Sequence, residues 1–409
     1  MGQANEASQV TGGLRMAPQA RDCINRMPAS KVREIANSGF GREDLLRFWF
    51  GESDQPTPDY IRRAAIRGLE ADEVFYTHNN GRADLRQSLG NYLDRLHGRD
   101  FAAERLSITS SGVSALVVAM QVLLDPGDRV VVVTPVWPNV TQIPAALGAD
   151  VVRVAITHGN TGWTLDLDRL LDAVTPATRL LILNSPGNPT GWTLTAEQQQ
   201  AILDHCRRLG VWILADDVYE RLMLGDGTAS APSFFALADA QDRLFGANSF
   251  SKAWLMTGWR LGWLVAPAGL EEQIGKVIEF NTSCAPGFIQ SAGIAALEQG
   301  EPHIRALKDT LTRNRDMLIA GLQTLPGVVA PSPPGGMYAF FRVAGFPDSM
   351  ALAKRLVTEA GLGLAPGAAF GPEGEGWLRW CFSSAPDGLA KGVQRLADWI
   401  SRNAGKERG

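Results

Sequence analysis

The sequence predicts an α/β fold: a large domain with a mainly parallel sheet covered by helices on both faces, plus a smaller α+β domain from the N- and C-terminal segments. Three observations carry this. From about residue 106, short β-rich runs alternate with helical patterns, as in sheets whose crossover helices cover both faces. The run "RVVVV" at 129–133 has no polar alternation, as expected of a strand buried on both sides. The 409 residues exceed what one hydrophobic core usually supports, so a second, smaller domain is expected.

In chain order, "LSIT" (106–109) reads as a strand and "GVSALVVAMQVLL" (112–124) as the helix that follows it. The turn "DPGD" leads to the strand "RVVVVTP" (129–135), a helix near 139–147 and the strand "DVVRVAI" (150–156). A helical "LDLDRLLDAV" (165–174) precedes the strand "TRLLILN" (178–184). Thr195 with Gln198 three residues on forms a helix start signal and Gly210 a stop, so "TAEQQQAILDHCRRLG" is a crossover helix. The strands "VWILADD" (211–217), "RLFGANSF" (243–250) and "RLGWLVAP" (260–267) complete a large domain placed at 58–299. A helical pattern at 301–323, "GVVAPSPPGGMYAFFRV", a helix near 349–360, "LRWCFS" and the amphipathic "GLAKGVQRLADWISR" form an α+β layer at 300–409. Residues 1–57, an N-terminal arm and a further segment, are expected to join it in the small domain.

Composition narrows the function classes. An apolar fraction of 45%, a charged fraction of 20% and a net charge of -4 describe an ordinary globular protein with no electrostatic footprint for nucleic acid. The start "MGQANEASQVTGG" lacks the basic and apolar parts of a signal peptide, Glu6 breaks a myristoylation signal, and a flexible arm is expected. The apolar run "ALVVAMQVLL" (115–124) is too short to cross a bilayer. Cys23, Cys206, Cys284 and Cys381 stand far apart, which fits reduced thiols in a cytoplasmic protein, and neither they nor the five histidines show metal-ligand spacing.

In sheets of this kind ligands sit beyond the carboxyl ends of strands, and the residues there are informative. After "LSIT" comes "SSGVSAL", small residues at a helix start whose free N–H groups suit a phosphate, beside the plainer reading of a tight turn. After "RVVVVTP" comes Trp137, either a stacking ring for a flat heteroaromatic ligand or a core aromatic. After "TRLLILN" comes "SPGNPTG", where the Asn188 amide can donate to a phenolate-like oxygen or simply belong to a loop. After "VWILA" comes "DDVY", where a buried Asp216 needs a cationic partner, unless it caps the next segment, and Tyr219 reaches the same ligand. Then "SFSKAWLMTGWRLGW" (249–263) offers Lys252 as an amine, with Ser249, Ser251 and Arg260 as a phosphate clamp. A phosphate nest, a ring, an oxygen donor, an acid and an amine in strand-end order are poorly explained as coincidence.

At this point the chain resembles the pyridoxal-phosphate-dependent class I/II aminotransferases of fold type I. "YTHNNGRADLR", "DPGD", "NSPGNPTG", "DDVYE", "SFSKAWLMTGWRLGW", "PGGMYAF", "PGAAFG" and "LRWCFS" occur in the family's order. The resemblance implies that Lys252 carries pyridoxal 5'-phosphate covalently, that Asp216 pairs with its ring nitrogen, and that Tyr219 and Asn188 bind its ring oxygen. It also implies Trp137 as the stacking aromatic, and Gly112 and Val113 (by their backbones), Ser249, Ser251 and Arg260 as the phosphate cup. Arg379 resembles the arginine that grips the substrate α-carboxylate, with Gly51 in backbone contact, and Tyr76 matches a tyrosine reaching the phosphate of a neighbouring subunit. A homodimer with shared active sites is implied.

The activity implied is ping-pong transfer of an amino group from an amino acid to a 2-oxo acid, with Lys252 moving the Cα proton. A fold type I lyase or synthase would use the same lysine and is the alternative. A cofactor-binding regulator would need a DNA-binding module before residue 58, and no helix-turn-helix with a basic face is visible there. Two features depart from the family pattern: Ser111 stands where relatives often carry glycine, and "PPGGMYAF" replaces a commoner "PxGAFY". "RFWFG" (47–51), Trp137, Met337 and Phe370 are candidate pocket walls, and their apolar character points to a neutral or aromatic substrate.

Overall fold

The computed structural model describes residues 19–159, 162–225 and 227–403; the "MGQANEASQVTGG" stretch lies outside the described residues. A seven-stranded sheet has the order Leu106–Thr109, Gly262–Val265, Leu244–Ser249, Trp212–Asp216, Thr178–Asn184, Arg129–Thr134, Asp150–Ala155. Gly262–Val265 runs antiparallel to both neighbours, and every other pairing is parallel. The expected mainly parallel sheet is therefore present, with one reversed strand.

Its unbroken apolar strands serve two separate cores. Val130, Val132, Leu180, Ile182, Leu214, Phe245 and Leu264 face a layer containing helices Gly112–Leu123 and Glu271–Glu279. Their neighbours Val131, Val133, Leu181, Leu183, Ile213 and Trp263 face the other core, to which helices Ala83–His97 and Gly287–Gln299 contribute. Successive side chains in a strand point to opposite faces, so burial on both sides requires apolar residues at every position.

The capping box expected at Thr195 is present, with the Gln198 N–H donating to Thr195 Oγ1 at 3.2 Å and Gly210 at φ 69. By contrast, helices Asp59–Glu70, Ala83–His97 and Gly287–Gln299 begin without a side-chain cap. The usual start signal is missing from these stretches, so the sequence does not announce them as helices.

A second sheet of four antiparallel strands has the order Val328–Val329, Tyr338–Val343, Trp377–Cys381, Ala365–Pro366. The terminal helix Pro386–Asn403 buries Leu389, Leu396 and Trp399, the apolar face its periodicity predicts. The N-terminal segment is tied to this layer: Leu46–Arg47 pairs in parallel with Leu362–Gly363, and helix Lys31–Ser38 packs on helix Ser349–Ala360. Among the described residues no helix is long and apolar enough to cross a membrane.

Candidate active site

The carboxyl ends of the large sheet's parallel strands open into a cavity of about 950 Å³ whose other wall comes from the small sheet and the N-terminal segment. It is lined by Gly51, Gly112, Val113, Trp137, Asn188, Asp216, Tyr219, Ser249, Ser251, Lys252, Arg260 and Arg379. Of the residues singled out in the sequence as site candidates, Tyr76 lies elsewhere: it is 90% exposed beside Phe75 and is not part of this cavity wall.

One end of the cavity is built for an anion. Ser111 is extended at φ 167, a conformation any residue adopts, so serine at this position leaves the backbone path undisturbed. Its hydroxyl accepts from the Ser114 N–H at 3.0 Å, which leaves the N–H groups of Gly112 and Val113 for a ligand at the positive end of the helix. A Cβ on Gly112 would lie 2.8 Å from Ser249 Cβ, and one on Gly262 would lie 2.5 Å from the Gly112 nitrogen. Both glycines are needed for the helix start to press against the strand end. Ser249 donates to Ser251 Oγ at 2.8 Å, and the Ser251 N–H donates back to Ser249 Oγ at 3.1 Å. Arg260 beside them is held at φ 55, in the left-handed region, a strained state that side-chain-bearing residues occupy chiefly at functional positions.

The centre is acidic and basic at once. Asp216 ends a central strand and is 4% exposed. Burial pushes its carboxyl up to about 7, opposed by the Val218 N–H and the charge of Lys252. Lys252 Nζ donates to the Gly51 carbonyl. Its side chain reaches the cavity but its ammonium is surrounded by protein, and this burial lowers it to about 8; Cys381 and Glu52 oppose the shift, while Arg379 and Arg260 assist it. An amine tuned this way is neutral far more often near pH 7 than an ordinary lysine. Half-buried Trp137 packs partly on the core and partly lines the cavity.

Asn188 is fixed from two sides. Its N–H donates to Asn184 Oδ1 at 2.8 Å, and Asn184 Nδ2 donates to the Asp216 carbonyl at 2.9 Å. Its Oδ1 accepts from Arg379 Nη1 at 2.8 Å, which orients the amide with its NH₂ left to donate. Arg379 is 4% exposed, donates through Nη2 to the Trp49 carbonyl, and has a buried Nε with no partner. An arginine fork with an unspent buried donor is equipped for a carboxylate.

Several cavity residues are not among the site candidates that the sequence motifs single out. Tyr338 lines the cavity, with its hydroxyl 2.7 Å from that of Tyr219. The signal was available, since period-2 alternation sets Tyr338 and Phe340 on the face they share with Cys381 and Arg379. Residues 27–33 also line the cavity, as does Arg153, whose Nε and Nη2 donate to Glu373 at 2.8 and 2.7 Å. Of the candidate walls, Phe50, Gly51, Trp137 and Phe370 line the cavity, but Phe48, Trp49 and Met337 are core residues; Phe48 stacks on Trp380 at 4.9 Å.

Comparison with known proteins agrees with this geometry. The family Aminotransferase class I and II matches residues 43–396. An aspartate aminotransferase of Pyrococcus horikoshii is 30% identical over 370 residues, covering 90% of this chain and 93% of its own. An arginine–pyruvate transaminase of Pseudomonas aeruginosa is 33% identical over 357 residues, covering 87% and 90%. Among solved structures, an aromatic aminotransferase of Pyrococcus horikoshii has a TM-score of 0.83 at 27% identity, covering 90% of this chain and 99% of its own. The matched region holds every cavity residue from Gly51 to Arg379, and the chain belongs to the class I and II aminotransferases, enzymes that transfer amino groups with pyridoxal phosphate.

Proposed function

We propose that this enzyme moves the α-amino group of a neutral or aromatic amino acid to a 2-oxo acid in two half-reactions at the cavity, with Lys252, Asp216 and Tyr219 as catalytic residues. The observation that carries this reading is the meeting of a lysine lowered to about 8, a buried carboxyl and an arginine with a spare donor around one cavity.

The residues present fit pyridoxal 5'-phosphate: Gly112 and Gly262 let the helix start close against the strand end that carries Ser249, and the donors suit each part of the group. Gly112, Val113, Ser249, Ser251 and Arg260 would hold the phosphate, Trp137 a ring face, and Asn188 and Tyr219 the ring oxygen. Asp216 would stay ionised opposite a protonated ring nitrogen, a partner that repays its burial. When bound, the cofactor supplies an electron sink for the Cα–H bond of the substrate. Lys252 is the attachment point and then the base that moves the Cα proton. Arg379, with Gly51 beside it, holds the α-carboxylate and so sets which substituent faces Lys252.

The substrate class follows from the walls. Phe50, Trp137, Tyr338 and Phe370 are apolar or aromatic, and Arg153 is already neutralised by Glu373. A half-reaction screen over amino acids, following the visible band of the bound cofactor, is expected to show fastest conversion with neutral and aromatic substrates. Conversion with aspartate or glutamate alone would overturn this and give the side-chain carboxylate to Lys31 or Arg33, which also line the cavity. The relatives described above are transaminases, which does not favour the lyase or synthase alternative.

Val74, Phe75, Tyr76 and Phe280 are 57–91% exposed. A surface this apolar suits a homodimer interface in which Tyr76 completes the partner's phosphate site. Sedimentation is expected to give twice the chain mass of 44.1 kDa; a stable, active monomer would refute it. Four free cysteines fit a cytoplasmic enzyme, and division near residues 57 and 300 fits the pairing of the N-terminal strand with Leu362–Gly363.

A further inference from the structure

Tyr338 touches several parts of the site at once. Its hydroxyl lies 2.7 Å from that of Tyr219, and the Arg379 guanidinium carbon stands 4.4 Å from its ring centre. A Cβ on Gly51, whose carbonyl accepts from Lys252, would lie 1.9 Å from the Tyr338 hydroxyl, so only glycine lets the chain pass there. Tyr338 is 1% exposed and Tyr219 3% exposed, so bulk water does not compete for either hydroxyl.

Two phenols that share one hydrogen bond have one hydroxyl hydrogen left over. If Tyr219 donates to Tyr338, Tyr219 turns only lone pairs toward the cavity. If Tyr338 donates to Tyr219, the hydrogen of Tyr219 is free to point inward. An anionic oxygen facing Tyr219 selects the second arrangement, and chained donors in a low-dielectric interior strengthen each other.

We infer that Tyr338 is a positioning residue: by donating to Tyr219 it makes Tyr219 a donor toward an anionic oxygen in the cavity, while its ring seats Arg379 for the substrate carboxylate. This rests on the reading of Tyr219 as a donor to the ring oxygen of the cofactor. The separate jobs of hydroxyl and ring make it testable.

The holoenzyme and its Tyr338→Phe, Tyr338→Leu, Tyr219→Phe and Tyr219→Phe/Tyr338→Phe variants are titrated with pH while the visible band of the cofactor is followed. Tyr338→Phe keeps the ring, and is expected to raise the midpoint of the band by roughly 0.3–1 unit with KM for the amino acid unchanged. Tyr338→Leu removes the ring as well and is expected to raise KM roughly tenfold in addition. In the Tyr219→Phe background, Tyr338→Phe is expected to add no further shift. A midpoint that moves in Tyr219→Phe but not in Tyr338→Phe overturns the role of Tyr338, as does an equal Tyr338→Phe shift in both backgrounds. A midpoint unmoved in Tyr219→Phe overturns the underlying reading of Tyr219 and this inference with it.

Discussion

Lys252→Ala protein is expected to lose transamination by at least about 10⁴-fold, the upper range for a positioned acid–base group, because the same nitrogen is also the proposed attachment point. Borohydride treatment of the wild-type holoprotein should fix the cofactor mass on residue 252, and the variant should take up no covalent label. Normal turnover by the variant would remove the basis of the proposed mechanism. The lowered lysine also has a folding consequence. With its value near 8 in the folded chain against 10.5 for an ordinary lysine, the cofactor-free protein binds fewer protons than the unfolded chain between these values. Stability from this group therefore rises with pH across that window, and its penalty is complete below it. The cofactor-free Lys252→Ala protein should melt higher than wild type at neutral pH, while being inactive.

Asp216→Asn is the second large effect. Removing the charge proposed to face the ring nitrogen is expected to lower kcat by roughly 10²–10³-fold, the scale of losing a preorganised electrostatic partner. The cofactor-free protein should respond in the opposite sense. The Asp216 carboxyl sits at about 7 when folded against 3.8 for an ordinary aspartate, so the folded chain binds more protons than the unfolded one between these values. Its stability then falls as pH rises from about 4 to about 7, and the cost persists above. Asn carries no charge, so cofactor-free Asp216→Asn is expected to exceed wild type by about 2–4 kcal/mol at pH 8 and to match it at about pH 4. Thermal melts at the two pH values check this; an equal difference at both would mean that burial of the Asp216 charge is not its source. Function at both residues is thus expected to cost the empty fold stability.

Most of the large sheet was legible because strands buried on both faces are apolar throughout, and "RVVVV" and "LLILN" are short apolar runs with turn residues near by. The cavity residues were legible for a related reason: the chain places its unusual polar residues just beyond those runs, as at Asp216 and Asn188. What was not legible depends on contacts between distant segments. Nothing local marks Trp49 as the residue whose carbonyl holds Arg379, or Arg153 as the partner of Glu373. Phe48 and Met337 have the composition of pocket walls, and only packing against the small sheet sends them into the core. Helix Asp59–Glu70 was missed because its amphipathic face carried no capping signal.

The pairing of Leu46–Arg47 with Leu362–Gly363 sets an order of events during synthesis. The strands of the seven-stranded sheet all lie between residues 106 and 265, so that layer can assemble while the ribosome is still making the rest. The strip from Leu46 to Gly51 cannot make its pairing with Leu362–Gly363 until residue 363 has left the exit tunnel. Until residue 379 follows, a nascent chain lacks the Phe370 wall and the Arg379 fork, and its binding chamber is unfinished.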